Sequence, residues 1–324
     1  MPLELGAGTD AMDVRFCKRL EARWALIAQS INFMASKDLL GPAWFRRRPK
    51  DVSLAAARAN QSKAWSDHRG PEPGGQTVHP WSVIYITPLL EFNMYSHLDN
   101  YMATGFKEVE GWCSSQLSEF CKLIDSHQRE RQIAGGVAEI GVHHGLFFIM
   151  LNSFCQDGCT SWALDLFERQ DLNIDHSGQG SKEVFLANLE AHDKFKGKNV
   201  QIVACDSTTV RLTDIVKSPV RLFSIDGGHT AEHTISDLKS AQSVLHPEGV
   251  VILDDIQNHH WLGVIEGCIL FLQARPTLVP FAIGHNKLFM CNLSFAEPYM
   301  KLFLNSRFVT KPRVRFVGHE IVAL

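Results

Sequence analysis

Four residues of this chain have the types and spacing to do chemistry together: Asp226, His229, Asp254 and Asp255. Asp226 follows the apolar run Phe223-Ser-Ile, and Asp254-Asp255 follows Val250-Val-Ile-Leu. If the two runs are neighbouring parallel strands, three carboxylates meet at one sheet edge, where they repel one another and raise each other's pKa. A divalent cation removes that cost, and all-oxygen ligands suit Mg²⁺ or a similar hard ion. Helix capping is the competing reading, because Asp226 and Asp255 both stand near expected helix starts. It accounts for one carboxylate per helix and leaves the Asp254-Asp255 pair unexplained. His229 falls three residues after Asp226, beside such an ion without being a ligand, and its near-neutral pKa makes it the candidate general base. His259 and His260 either contact a substrate or sit in an exposed loop, and His143 and His144 read as structural.

A second constellation lies earlier in the chain. Glu139-x-Gly141-x-x-x-Gly145 sits where a strand turns into a helix, and glycine there admits a close approach of backbone to a ligand. A dinucleotide fingerprint would need glycine where His143 stands, and a side chain at that point obstructs a pyrophosphate. The loop therefore suits a ligand with a ribose and an amino-acid tail but no phosphate. Asp165 ends the next strand, placed for ribose hydroxyls. Asp206 with Ser207 ends the third, within reach of an adenine edge. A purely structural strand–helix turn is the bland alternative.

These residues require a particular scaffold. Short apolar runs alternate with helical patterns from residue 136 onward, with strands at 136–140, 161–166, 200–204, 220–225 and 249–253. Helices are expected at 144–154, 182–195, 230–245, 261–275 and 295–304. The pattern predicts an α/β, doubly wound sheet, mostly parallel, delivering polar groups to the carboxyl ends of its strands. Segments 278–284 and 287–292 face each other across Gly284-His-Asn286, which predicts an antiparallel hairpin at one sheet edge. Extended patches follow around Val314 and Ile321. Ahead of the sheet, residues 91–130 read as helical. Phe16, Leu20, Trp24, Leu26, Ile27 and Ile31 recur at helical spacing near the start, and a Pro- and Gly-rich linker or mobile loop covers about 41–80. The expected division is a helical N-terminal extension at 1–105 and a ligand-binding domain at 106–324.

Composition bounds the function classes. The 324 residues are 45% hydrophobic and 21% charged, with a formal net charge of −3, so a general nucleic-acid grip is not expected. Arg46, Arg47, Arg48 and Lys50 form one local basic run. The eight cysteines include no CxxC pair, which points to a reduced, cytoplasmic protein and away from structural zinc. Glu4, Asp10 and Asp13 precede any apolar run, so no signal peptide is expected, and no apolar stretch nears the ~20 residues of a membrane span.

The loop from Glu139 to Gly145, with the acidic strand ends, resembles class I S-adenosylmethionine-dependent methyltransferases. Ile225-Asp226-Gly-Gly-His229 followed by Leu253-Asp254-Asp255 is similar to the metal-dependent sugar O-methyltransferases of macrolide tailoring, the macrocin and mycinamicin type. Asp165-Leu-Phe, Asn173-x-Asp175-x-Ser177-Gly178-x-Gly180 and Gly284-x-Asn286-Lys287-Leu extend the likeness over roughly residues 110–305. The resemblance implies a Rossmann-like methyltransferase fold with S-adenosylmethionine as cofactor, held by Glu139, Gly141, Gly145, Asp165, Asp206, Ser207 and Asp226. It implies Mg²⁺ or a similar divalent cation on Asp226, Asp254 and Asp255, with His229 as base. Asp254 stands where the family often has the longer Glu. The implied acceptor is a hydroxyl of a sugar or another diol-containing small molecule, and a homo-oligomer is left open. An NAD-dependent oxidoreductase, a non-catalytic nucleoside-binding module and a metal-dependent hydroxylase-like relative are the alternatives on the same scaffold.

Overall fold

The computed structural model describes residues 94–324. The chain divides after Thr77, and every described residue belongs to the C-terminal unit. The N-terminal helical pattern, the 41–80 linker with its basic run, and the apolar segment 81–90 lie outside the described residues.

Nine strands form one sheet: β1 (Gly136–Ile140), β2 (Ser161–Asp165), β3 (Val200–Ala204), β4 (Val220–Ile225), β5 (Leu245–Leu253), β6 (Leu278–Gly284), β7 (Lys287–Asn292), β8 (Lys311–Phe316) and β9 (His319–Ala323). Their order is β3-β2-β1-β4-β5-β7-β6-β9-β8. The first five run parallel, and β7 lies antiparallel between β5 and β6. Interior strands such as β1 and β4 are buried along their whole length, as continuous apolar runs in a sheet covered on both faces must be. Strand β3, at the open edge, is only partly buried. The β6–β7 hairpin adds antiparallel to β5, at the edge of the five parallel strands, and the sheet continues beyond it. β9 pairs parallel with β6, and β8 pairs with β9. Ile321 and Val322 are fully buried on the two faces of the sheet, so these C-terminal residues extend both cores and cover a hairpin edge whose ladder groups would otherwise be unpaired.

The helices are α1 (Ser96–Ala103), α2 (Leu117–Glu130), α3 (Leu146–Asn152), α4 (Lys182–His192), the single turn α5 (Leu212–Ile215), α6 (Ala231–Val244), α7 (Leu262–Gln273) and α8 (Leu293–Leu304). One sheet face carries α1, α2, α3, α4 and α8, and the other carries α5, α6 and α7. α1, assigned above to the extension, packs into the core: Leu98 and Tyr101 are buried, and the Tyr101 hydroxyl donates to the Leu146 carbonyl at 2.8 Å. The helical reading of 91–130 is interrupted at 104–116, and that interruption carries Trp112, Cys113 and Ser114 to the ligand cavity. Arg221 on β4 and Asp125 on α2 are fully buried and paired at 2.5 Å, with Gln128 accepting a second guanidinium N–H at 2.8 Å. That pair fixes α2 across the strand that carries Asp226.

Candidate active site

The sheet reverses direction between β1 and β4, because β2 and β3 build outward on one side and β4 and β5 on the other. Such a switch point opens a crevice at the carboxyl ends of the strands. A cavity of about 630 Å³ lies there, of a size that holds a small ligand. Its wall takes Gly141 from the end of β1, Asp165 from β2, Asp206 and Ser207 from β3, Asp226 and His229 from β4, and Asp254 and Asp255 from β5. Of the residues named above for cofactor, metal and base, Glu139 and Gly145 are the two that do not line it.

The glycines answer to neighbouring atoms of the protein itself. Gly141 has φ +84, and a Cβ there would overlap the Asp226 carbonyl oxygen. Its close approach is therefore to the neighbouring strand end, which brings β1 and β4 together at the cavity floor. Gly145, φ +95, caps α3, and a Cβ would press on the Phe185 ring. His143 between them is also left-handed, φ +50, and its N–H donates to Asp165 Oδ2 at 2.8 Å. Asp165 Oδ1 accepts from the Phe167 N–H at 2.6 Å. One carboxylate thus ties the loop after β1 to the end of β2 while facing the cavity. Burial raises the Asp165 pKa against those donors. Asp206 caps the short turn that follows it, accepting from the Thr208 N–H at 2.9 Å.

Glu139 lies behind the cavity, 1% exposed, with Oε1 accepting from the Ser224 hydroxyl at 2.9 Å and Oε2 without a partner. Burial pushes its pKa up to about 8, opposed by Lys287 and the Ser224 hydrogen bond.

Capping does not account for the acids. The helix after β4 is capped by Thr230, whose hydroxyl accepts from the His233 N–H, and the helix after β5 has no side-chain cap at all. Asp226, His229 and Asp255 instead converge, with one ligand atom from each lying within 4.8 Å of the others. The Asp226 side chain is 27% exposed. Burial and then the charge of Asp254 hold its pKa well above the carboxylate range, with Lys287 opposing. Such a charge-rich, ring-and-carboxylate donor set fits a divalent cation.

Asp254 and Asp255 point to different partners. Asp254 is ion-paired with the Lys287 ammonium, which is 2% exposed and 4.0 Å from Asp226. Asp255 sits at φ +58 and directs Oδ2 to His229 Nε2 at 2.9 Å. The tip of the β6–β7 hairpin sets this division. His285 and Asn286 are left-handed, as a two-residue turn of that hand requires, and the Asn286 amide donates to Asp255 Oδ1 at 2.7 Å. Burial raises the Asp255 pKa, but bonds from His229, Asn258 and Asn286 outweigh it and hold the carboxyl below its ordinary value.

His229 is held on both sides. Asp175 Oδ2 accepts its backbone N–H at 2.6 Å and lies 2.9 Å from ring Nδ1. Trp261 stacks on the ring at 4.4 Å and 18°. Burial lowers its pKa, but the two carboxylates overcome this and raise it to about 9. Asp175, Asn286 and Lys287 all stand in motifs singled out above without a role for any of them.

Residues 138–256 match the sequence family described as a methyltransferase domain. The match runs from inside β1 to just beyond β5 and so contains the glycine loop and the whole acid–histidine cluster. Over those residues the chain is similar to a methyltransferase domain. Among solved structures, the O-methyltransferase NovP is 15% identical over 54% of this chain and 80% of its own, with a TM-score of 0.45. An O-methyltransferase from Bacillus cereus in complex with SAH is 16% identical over 61% and 89%, TM-score 0.42. CalS11, a TDP-rhamnose 3'-O-methyltransferase of calicheamicin biosynthesis, is 15% identical over 62% and 92%, TM-score 0.40. No curated protein matches the sequence. Among the described residues, no helix is long and apolar enough to cross a membrane.

Proposed function

We propose that this domain transfers a methyl group from S-adenosylmethionine to a hydroxyl oxygen of a small diol-containing acceptor, such as a sugar, with the help of Mg²⁺ or a similar divalent cation. The observation that carries the reading is the convergence of Asp226, His229 and Asp255 at the floor of the glycine-loop cavity. The cofactor supplies an electrophilic methyl carbon on a sulfonium, and a divalent cation acidifies a hydroxyl it binds.

The chain's own residues divide the remaining work. Gly141 and the His143 backbone shape the cofactor side of the cavity, Asp165 faces the ribose position and Asp206 with Ser207 the adenine position. Asp226 and Asp255 would hold the cation, and Asp254 would add its charge from beside Lys287. Asp175 fixes His229 Nδ1; a cation on Asp255 would draw that carboxylate from Nε2 and offset the charge that raises the ring's pKa, freeing Nε2 to take the acceptor's proton. Acceptor and methyl donor held in one cavity need no further encounter, which is a large share of the rate.

The test is calorimetric titration of S-adenosylhomocysteine in chelator and again with Mg²⁺, with NAD as a parallel ligand. The expected result is micromolar binding of the homocysteine product and a separate Mg²⁺ heat that Asp226→Asn removes. NAD binding in its place would overturn the reading.

A further inference from the structure

The three strand-end carboxylates are not equivalent, and Lys287 separates them. Lys287 opens β7, next to the Asn286 that bonds Asp255. Its ammonium is 2% exposed, ion-paired with Asp254 Oδ2, 4.0 Å from Asp226 Oδ2 and 4.7 Å from the centre of the Phe147 ring. Asp254 Oδ1 accepts the Asp255 backbone N–H at 2.7 Å. Both oxygens of Asp254 are thus engaged by the protein itself. The ligand atoms that converge come from Asp226, His229 and Asp255, and Asp254, grouped with them on sequence, supplies none.

A buried ammonium at this point acts on a cation in two ways. It withholds one carboxylate from the ion, and its charge repels a second positive charge on neighbouring Asp226. Both effects weaken binding, and burial keeps water and salt from screening the second. They also suit the chemistry. Mg²⁺ is typically held by few carboxylates and leaves positions for water and substrate oxygens, one of which an acceptor hydroxyl would fill. With no ion in place, the ammonium offsets the repulsion among the acids. We propose that Lys287 sets the cation affinity of this site: it sequesters Asp254, keeps divalent-ion binding weak and lets the acid floor form without metal. The inference rests on the cation-assisted transfer proposed above.

The experiment is Mg²⁺ calorimetry on the full chain, as the parent, Lys287→Met, Asp254→Asn and the double variant. Lys287→Met should bind Mg²⁺ at least about tenfold more tightly than the parent, and the double variant severalfold more tightly than Asp254→Asn. Thermal denaturation gives a second readout. Lys287→Met leaves Asp254 buried and unpaired, so it should melt below the parent in chelator and recover most of that loss in Mg²⁺. An ion pair with a purely structural role would lower the melting temperature without tightening Mg²⁺ binding. The comparison of the double variant with Asp254→Asn stands even if Lys287→Met does not fold, because the double variant buries neither charge. Equal or weaker Mg²⁺ binding on removal of Lys287, in either background, would overturn the proposal. The parent separates the two levels. A parent Mg²⁺ heat that Asp226→Asn removes, with no gain from Lys287→Met, strikes only the role of Lys287, whereas no Mg²⁺ heat in the parent or any variant strikes the cation reading beneath it as well.

Discussion

Asp175 holds His229 at two points with one oxygen, Oδ2, which accepts from the backbone N–H at 2.6 Å and lies 2.9 Å from ring Nδ1. The segment between β2 and α4 therefore closes over the cavity and ends its span on the candidate base. Donors from His229 and Ser177 outweigh burial and keep the Asp175 carboxyl below its ordinary pKa, so it meets the ring as an anion. An anion on Nδ1 orients the ring and turns Nε2 toward Asp255 and the cavity.

Asp175→Asn keeps the shape of that contact and removes its charge. The expected outcome is a fall in kcat of about 10–100-fold with little change in S-adenosylhomocysteine affinity. Steady-state kinetics alongside calorimetry reads both. An unchanged kcat would mean that Asp175 only closes the loop.

Asp254 and Asp255 are adjacent in sequence and opposite in role. Asp255→Asn should weaken Mg²⁺ binding about tenfold or more in calorimetry while the fold keeps its stability. Asp254→Asn should instead cost on the order of 3 kcal/mol in urea denaturation, because it leaves the buried Lys287 ammonium with only Asp226, 4.0 Å away. If the two variants lost cation affinity equally and stability not at all, Lys287 would not be the partner that Asp254 serves.

Much of this site was readable in advance, and the unread part has a common cause. An acid or glycine at the end of an apolar run announces itself by type and position, so Gly141, Asp165, Asp226, His229 and the Asp254-Asp255 pair stand out before any fold is known. Partners from distant segments do not. Nothing local to Asp175 shows that its loop reaches β4, and nothing near Asn286 shows that a hairpin tip will orient Asp255. The sheet was legible through β5 because each strand is a buried apolar run. β8 and β9 were legible only as extended patches around Val314 and Ile321, without their pairing, because β8 is mostly exposed or half-buried and forms by pairing with β9. Gly141 shows the same limit: its need for glycine was visible, but the atom that imposes it, the Asp226 carbonyl, belongs to another strand.

Gly141→Ala tests that account against a glycine of the same hand. Gly158 has φ +82 and open space around its Cβ position, so Gly158→Ala meets backbone strain alone, about 1 kcal/mol. Gly141→Ala adds overlap with the Asp226 carbonyl and should cost about 3 kcal/mol or more, with loss of S-adenosylhomocysteine binding as β1 and β4 separate. Thermal denaturation of the two variants side by side measures the difference. Equal losses would mean that the strand ends yield easily and that ligand approach is what Gly141 serves.

Glu139 gives the fold a pH dependence of its own. Burial holds its folded pKa at about 8, above the value of 4.5 that the free side chain has. Between those values the unfolded chain releases this proton and the folded chain keeps it. The contribution of Glu139 to stability therefore falls as pH rises from about 4.5 to about 8 and is constant above. Glu139→Gln removes the titration and can still accept from the Ser224 hydroxyl. Relative to the parent, the variant should gain stability steadily from pH 5 to pH 8, on the order of 1–3 kcal/mol in all. Denaturation midpoints across that range carry the test. A difference that stays constant with pH would show that Glu139 is already ionised in the fold, with the Lys287 ammonium close enough to offset its burial.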